Sequence, residues 1–222
     1  MQFLVWRIVE QEAKSQSRKT TDSPDEYEFL ESYIDSGKPP YPNTGHHVLV
    51  ATAFRYEVPT PPDFVARFKP PFGNPKAFYS SLDSRTSCYE TAYHFMKERV
   101  HLPSASQTPE PRTLFSVAFS GPIFDIATEA RLPEIISRKS MEASWDFVRN
   151  NPNVNSVLYP SCRDPDHGQN VFTKDISSLE KNPKNYTDLR FIFESQNRLV
   201  RILDRHEDPA WETLTVGWDE VS

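Results

Sequence analysis

Twenty prolines against six glycines are the strongest constraint this 222-residue chain places on its own folding. Each proline fixes its φ and removes a backbone donor, which favours extended segments and preset turns. Few glycines remain for sharp reversals or close backbone approach. The sequence reads as one unit, 1–222, with long Pro-rich loops at about 10–25, 36–45, 58–75 and 101–112. Strand-like runs outnumber helical ones and the two are mixed in order, so the expected class is α+β. Hydrophobic residues make up only 37%, but 15 Phe, 9 Tyr and 4 Trp supply enough apolar surface for a core.

The glycine shortage also removes functions. No G-x-G-x-x-G, G-x-x-x-x-G-K-[ST] or G-x-S-x-G is present, so no phosphate cradle of backbone amides and no nucleophile elbow can be argued. A nucleotide bound here has to be held by arginines and hydroxyls. The net charge is −6, and no basic run is longer than the pair Arg18-Lys19. Counterion release is then a poor source of affinity, and no direct nucleic-acid partner is expected. Cys88 and Cys162 make neither a zinc spacing nor a CxxC pair, which favours reduced thiols and no metal. His46-His47 looks like half a metal site, but no further ligand stands at a suitable spacing, and a loop reading is preferred. No apolar run approaches 18 residues, and the opening Met1–Arg7 is too short for a secretory core; the expectation is cytoplasmic, with no membrane span.

The most informative stretch is Arg67–Lys97. It reads as an arginine-bearing loop, a strand over Lys76–Ser81, a turn at Leu82-Asp83, and a helix capped by Asp83 or Ser84. Cys88, Ala92, Phe95 and Met96 form the helix's apolar stripe. Glu90, about 200° around the axis from Cys88, shares the other face with Thr86, Tyr93, His94 and Lys97. An arginine, a strand tyrosine and a helical carboxylate can thus converge on one concavity, although Glu90 can equally be a solvated surface acid.

Elsewhere, Phe3–Val9 reads as a buried strand interrupted by Arg7. A charge in such a run either meets an anion or carboxylate inside, or points outward from an edge strand. Glu26–Ile34 reads as a helix and His46–Tyr56 as a strand carrying a partly exposed Arg55. Further strands are expected at Thr113–Phe119, Ile123–Ile126, Val154–Tyr159 and Asn170–Phe172, with a closing hairpin at Leu189–Phe193 and Arg198–Leu203 and a last strand-like piece at Thr213–Trp218. Short helices are expected at Leu132–Ile136 and around Met141, Trp145 and Val148.

The pattern R-F-x(9)-F-Y-x-S-x(4)-T-x(3)-E-T-A-Y-H from Arg67 to His94 resembles the RES-domain toxins of bacterial toxin–antitoxin pairs. So does Ser156-Val-Leu-Tyr-Pro-Ser-Cys-Arg163, which is similar to the family's G-I-x-Y-P-S-x-R segment, and Val5-Trp-Arg-Ile8, which looks like its first strand. The resemblance implies an ADP-ribosyltransferase-like split β-core with flanking helices, and cleavage of NAD+ at the nicotinamide–ribose bond. NAD+ is then a substrate, degraded by hydrolysis or phosphorolysis. Alternatives are ADP-ribosyl transfer to a cellular protein and a non-catalytic binding module. By residue, the resemblance implies that Glu90 steadies the ribose, Arg7 and Arg67 hold the diphosphate, Tyr79 contacts nicotinamide or ribose, and Ser161 offers a hydroxyl to ribose or phosphate. Arg55 competes with Arg7 as the first family arginine, Ser161 can also be a simple turn residue, and Ser140 is a weaker candidate. The implied partner is an Xre-like helix-turn-helix antitoxin, with a dimer possible inside that complex.

Overall fold

The structure, a computed structural model, describes residues 2–10, 23–55, 66–70, 76–100, 108–204 and 214–222. In chain order the elements are β1 (Gln2–Glu10), α1 (Pro24–Ser36), α2 (Val48–Ala51), β2 (Phe78–Ser81), α3 (Ser84–Lys97), β3 (Glu110–Ser120), β4 (Phe124–Asp125), α4 (Leu132–Ile135), α5 (Glu142–Asn150), β5 (Ser156–Pro160), β6 (Gln169–Thr173), β7 (Lys184–Glu194), β8 (Leu199–Asp204), β9 (Leu214–Gly217) and α6 (Trp218–Val221). The class is α+β. Nine strands form a sheet in the order β4-β5-β6-β2-β1-β3-β7-β8-β9. Only the β4–β5 pair is parallel among its ladders.

The sheet is nearly divided at its centre. β1 pairs with β3 along its whole length, from Gln2↔Ser120 to Glu10↔Arg112. It pairs with β2 at one position only, Trp6↔Ser81. β2 ends at Ser81, and back toward Phe78 it no longer pairs with β1; α3 packs on both strands at this fork, its Ser87 Oγ donating to the Trp6 carbonyl at 2.9 Å.

Three apolar clusters fix this shape. The expected stripe of α3 (Cys88, Ala92, Phe95, Met96) is buried against Leu114, Phe191 and Ile202, with Phe95 edge-on to Phe191 at 5.5 Å. Val5, Phe115 and Phe119 meet Phe78 and Val171 in a second cluster that joins the half-sheets. Phe68, Phe147, Tyr159 and Phe172 form the third. Each buried Val, Leu, Ile, Phe or Met side chain among these contributes about 1.5–3 kcal/mol.

Several expectations change. β1 is an interior strand, so Arg7 does not point outward from an edge. The stretch expected as a strand over 46–56 instead forms α2 and a 3-10 turn over Thr52–Phe54. The His47 ring accepts the Leu49 N–H and so starts a helix where the β-branched run suggested extension. Arg55 is buried, not half-exposed: its guanidinium lies 4.0 Å from the Tyr41 ring centroid and donates to the Pro39 carbonyl. The strand expected at Lys76–Ser81 starts at Phe78, and that expected at Ile123–Ile126 keeps two residues. β3 begins at Glu110, inside the expected loop. Most of the expected 10–25 loop, much of 58–75, and 101–107 lie outside the described residues.

Candidate active site

Asp83 starts α3 by accepting the Thr86 N–H at 2.7 Å. From that start, the helix presents Ser87, Glu90, Thr91 and His94 along one face, at the spacing of successive turns. These four, with Trp6 and Arg7 of β1, Tyr79 of β2, and Arg67, Tyr159, Cys162, Arg163 and Asn170, line a cavity of about 340 Å³ at the fork. Glu90 is the only carboxylate among these lining residues, while Arg7, Arg67 and Arg163 bring three guanidinium groups.

Glu90 is held by one oxygen. Its Oε1 accepts from Ser161 Oγ at 2.7 Å and from Asn170 Nδ2 at 2.6 Å. Oε2 has no hydrogen-bond partner among the described residues. Both donors are themselves fixed. Ser161 Oγ accepts the Arg163 and Asp164 backbone N–H groups, each at 3.0 Å. Asn170 Oδ1 accepts from Ser81 Oγ at 2.7 Å. A carboxylate anchored this way has one oxygen committed to the protein and the other available to a ligand hydroxyl.

The loop carrying Ser161 is set by a second network. Thr86 Oγ1 lies 2.5 Å from Asp83 Oδ2 and 2.6 Å from Asp164 Oδ2. Gly168 donates no bulk there: a Cβ on it would sit 1.9 Å from Thr86 Oγ1 and 2.5 Å from Asp164 Oδ2. This glycine is therefore required by close approach. It leaves room for its carbonyl to accept the Ser161 N–H at 2.6 Å.

The arginines differ in their surroundings. Arg7 donates from Nη1 to the Tyr79 carbonyl at 3.1 Å and stacks 4.7 Å from the Phe78 ring centroid. Its Nε is buried without a partner. Burial, opposed by Tyr79, pushes this guanidinium down to about 10. A buried guanidinium with an orphaned donor favours an anion at its side. Arg67 donates to the carbonyls of Ile135 and Ser137 and to Cys162 Sγ at 3.4 Å. Arg163 lies over Tyr93, its guanidinium carbon 3.6 Å from the ring centroid.

Tyr79 donates to the Arg67 carbonyl. Burial pushes its phenol far up, opposed by Arg67 and Arg7, so it serves as a neutral donor. Burial likewise raises Tyr159, with Glu90 adding in the same direction. His94 lines the cavity and is exposed to solvent. Desolvation lowers its pKa, with Glu90 opposing and Arg163 reinforcing.

The structure thus brings together Glu90, Arg67, Tyr79 and Arg7 on the cavity wall. Ser161 stands behind it, spending its proton on Glu90 rather than facing the cavity. Arg55 and Ser140 do not line it; the Ser140 hydroxyl accepts the Glu142 N–H at an exposed helix start. Sequence reasoning missed Asn170, and it quoted Arg163 without giving it a place. Among the described residues no group of three or more His, Cys, Asp or Glu can hold a metal. His46 bonds Thr44 and the Leu179 carbonyl instead. Nor is any described helix long and apolar enough to cross a membrane.

The model of the RES domain family matches residues 40–194. That span contains every cavity-lining residue named above except Trp6 and Arg7, including the one carboxylate and its two anchors. No curated protein matches the chain.

Proposed function

This chain belongs to the RES domain family, and on that premise we propose that it is a toxin that cleaves NAD+ at the nicotinamide–ribose bond. RES domains are associated with toxin–antitoxin systems and with NAD-related activity. The observation that carries the finer reading is Glu90, anchored through Oε1 by Ser161 and Asn170 in a cavity whose other charged groups, among the described residues, are cationic.

Breaking the glycosidic bond sends its electron pair to nicotinamide and leaves positive charge spread over the ribose C1 and ring oxygen, as in glycoside cleavage. Glu90 Oε2 accepts a ribose hydroxyl and stabilises that charge as it develops, so its effect is larger in the transition state than in the bound substrate. Arg7 and Arg67 hold the diphosphate, and Tyr79, whose hydroxyl proton goes to the Arg67 carbonyl, contacts nicotinamide or ribose through its ring or as an acceptor. Water then adds its oxygen at C1 and releases a proton, giving ADP-ribose. Phosphate in place of water gives ADP-ribose 1-phosphate.

The sheet forked at Trp6↔Ser81 supports an ADP-ribosyltransferase-like reading of the fold. The partner in this proposal is an Xre-like helix-turn-helix antitoxin, which carries the DNA contacts that an acidic chain does not favour. The test is to incubate the purified chain with NAD+ labelled in the adenylate and resolve the products. Nicotinamide with free labelled ADP-ribose, or its 1-phosphate, is the expected outcome. Label retained on protein favours ADP-ribosyl transfer, and intact NAD+ overturns the proposal.

A further inference from the structure

The family match ends at residue 194, yet one wall of the cavity is braced from beyond it. Tyr93, a lining residue, stacks on Trp218 with centroids 5.7 Å apart and planes 10° from parallel. Arg163, buried to within 4% and also lining, lies on the same Tyr93 ring and donates from Nη1 to the Val221 carbonyl. Val221 is fully buried in the cluster beneath α3. Arg138 then staples the segment from outside: Nη1 donates to the Ser222 carbonyl at 2.8 Å, Nη2 to the Glu220 carbonyl at 3.1 Å, and Nε to the Cys162 carbonyl at 2.5 Å.

We infer that residues 218–222 are a positioning element for substrate binding, which holds Tyr93 and Arg163 as the cavity wall so that Arg163 meets the anionic part of the substrate. An arginine side chain in solution has about 2 kcal/mol of rotamer freedom to lose. Here that freedom is already removed by a flat aromatic and a fixed carbonyl, so a ligand meets a preset fork. Trp218 touches no lining group except Tyr93 in the ring contacts of the described residues, and acts through it. The substrate named here rests on the NAD+ reading; the positioning itself does not.

The experiment uses the full chain with Trp218→Ala, Trp218→Phe and Arg138→Gln. The first readout needs no substrate: the Arg163 side-chain NMR signals, which the Tyr93 ring shifts upfield in the intact protein. The second is KM and kcat for nicotinamide release from NAD+. Trp218→Ala is expected to abolish the upfield shift and raise KM about tenfold with kcat changed less than about threefold. Trp218→Phe should restore both, because a flat ring returns. Arg138→Gln, at the surface and harmless to the core, should move both readouts in the same direction by less. Unchanged Arg163 signals in Trp218→Ala and Arg138→Gln overturn the inference, as does a freed Arg163 with unchanged KM. A wild-type chain that releases no nicotinamide overturns the NAD+ reading instead, while the Arg163 signals still decide whether residues 218–222 position it.

Discussion

Asn170 Nδ2 lies 2.6 Å from Glu90 Oε1, joining the start of β6 to the middle of α3 across 80 positions of sequence. The same amide passes the constraint on to β2 through Ser81 Oγ. The acid is thus fixed from strand and loop at once, through one oxygen, on the wall of the cavity.

Removing that anchor should cost activity more than stability. Asn170→Ala leaves the Ser81 hydroxyl and Glu90 Oε1 each short of a partner in a buried place, a penalty of about 1–3 kcal/mol. Ser161 still holds the acid, so nicotinamide release should fall about tenfold to a hundredfold rather than vanish. The double variant Asn170→Ala, Ser161→Ala should lose more than either single one. Turnover and thermal melting, measured on all three, separate the two effects.

Gly168→Ala should destabilise the protein by about 2 kcal/mol or more. The added methyl would meet Thr86 Oγ1 and Asp164 Oδ2, both well inside contact distance. The Ser161 loop has to shift to relieve this, so activity should fall along with the melting temperature. Thr86→Val should destabilise as well, by about 1–3 kcal/mol, since it removes the hydroxyl between Asp83 and Asp164. Denaturant melts of the two variants test both statements.

Stability should decline as pH falls below about 6.5, the ordinary histidine value, and His94 should be one source. Desolvation against the cavity wall, opposed by Glu90 and reinforced by Arg163, lowers its folded pKa below that value. Below 6.5 the unfolded chain therefore takes up protons that the folded chain refuses, which favours unfolding. Well above 6.5 both states are neutral and the effect vanishes. His94→Gln should flatten the change in melting temperature between pH 7.5 and 5.5. An unaltered slope in that variant would contradict the assignment.

One thiol should react in the native protein and two after unfolding. Burial pushes the Cys88 thiol up to about 12, with Asp83 adding to the effect. Cys162 lines the cavity beside Arg67 and is partly exposed. Titration with an aromatic disulfide reagent counts the thiols, and modification of Cys162 should block nicotinamide release by filling the cavity.

How much of this was legible in the sequence depends on the range of the contacts. α3 was readable because its cap, stripe and polar face are set within the element: Asp83 caps it, and Cys88, Ala92, Phe95 and Met96 are all buried as the 3.6-residue period requires. β1 was readable as an apolar run, but the direction of Arg7 was not, because only sheet order makes that strand interior. The apolar residues Val48–Val50 looked like a strand and became a helix, since tertiary packing and a histidine cap outweighed β-propensity. Asn170 left no local signal. It is one polar residue in a short strand, and its importance lies in a partner on a distant helix. The aromatic brace at Trp218 was equally hidden, because the alternation that marked Leu214, Val216 and Trp218 as a strand says nothing of Tyr93.

The most direct measurement is nicotinamide release from NAD+ by Glu90→Gln. Glutamine keeps the shape, and its carbonyl can still accept from Ser161 and Asn170, so the melting temperature should stay near that of the wild type while turnover is lost. A Glu90→Gln protein that releases nicotinamide at the wild-type rate would contradict the role given to this carboxylate.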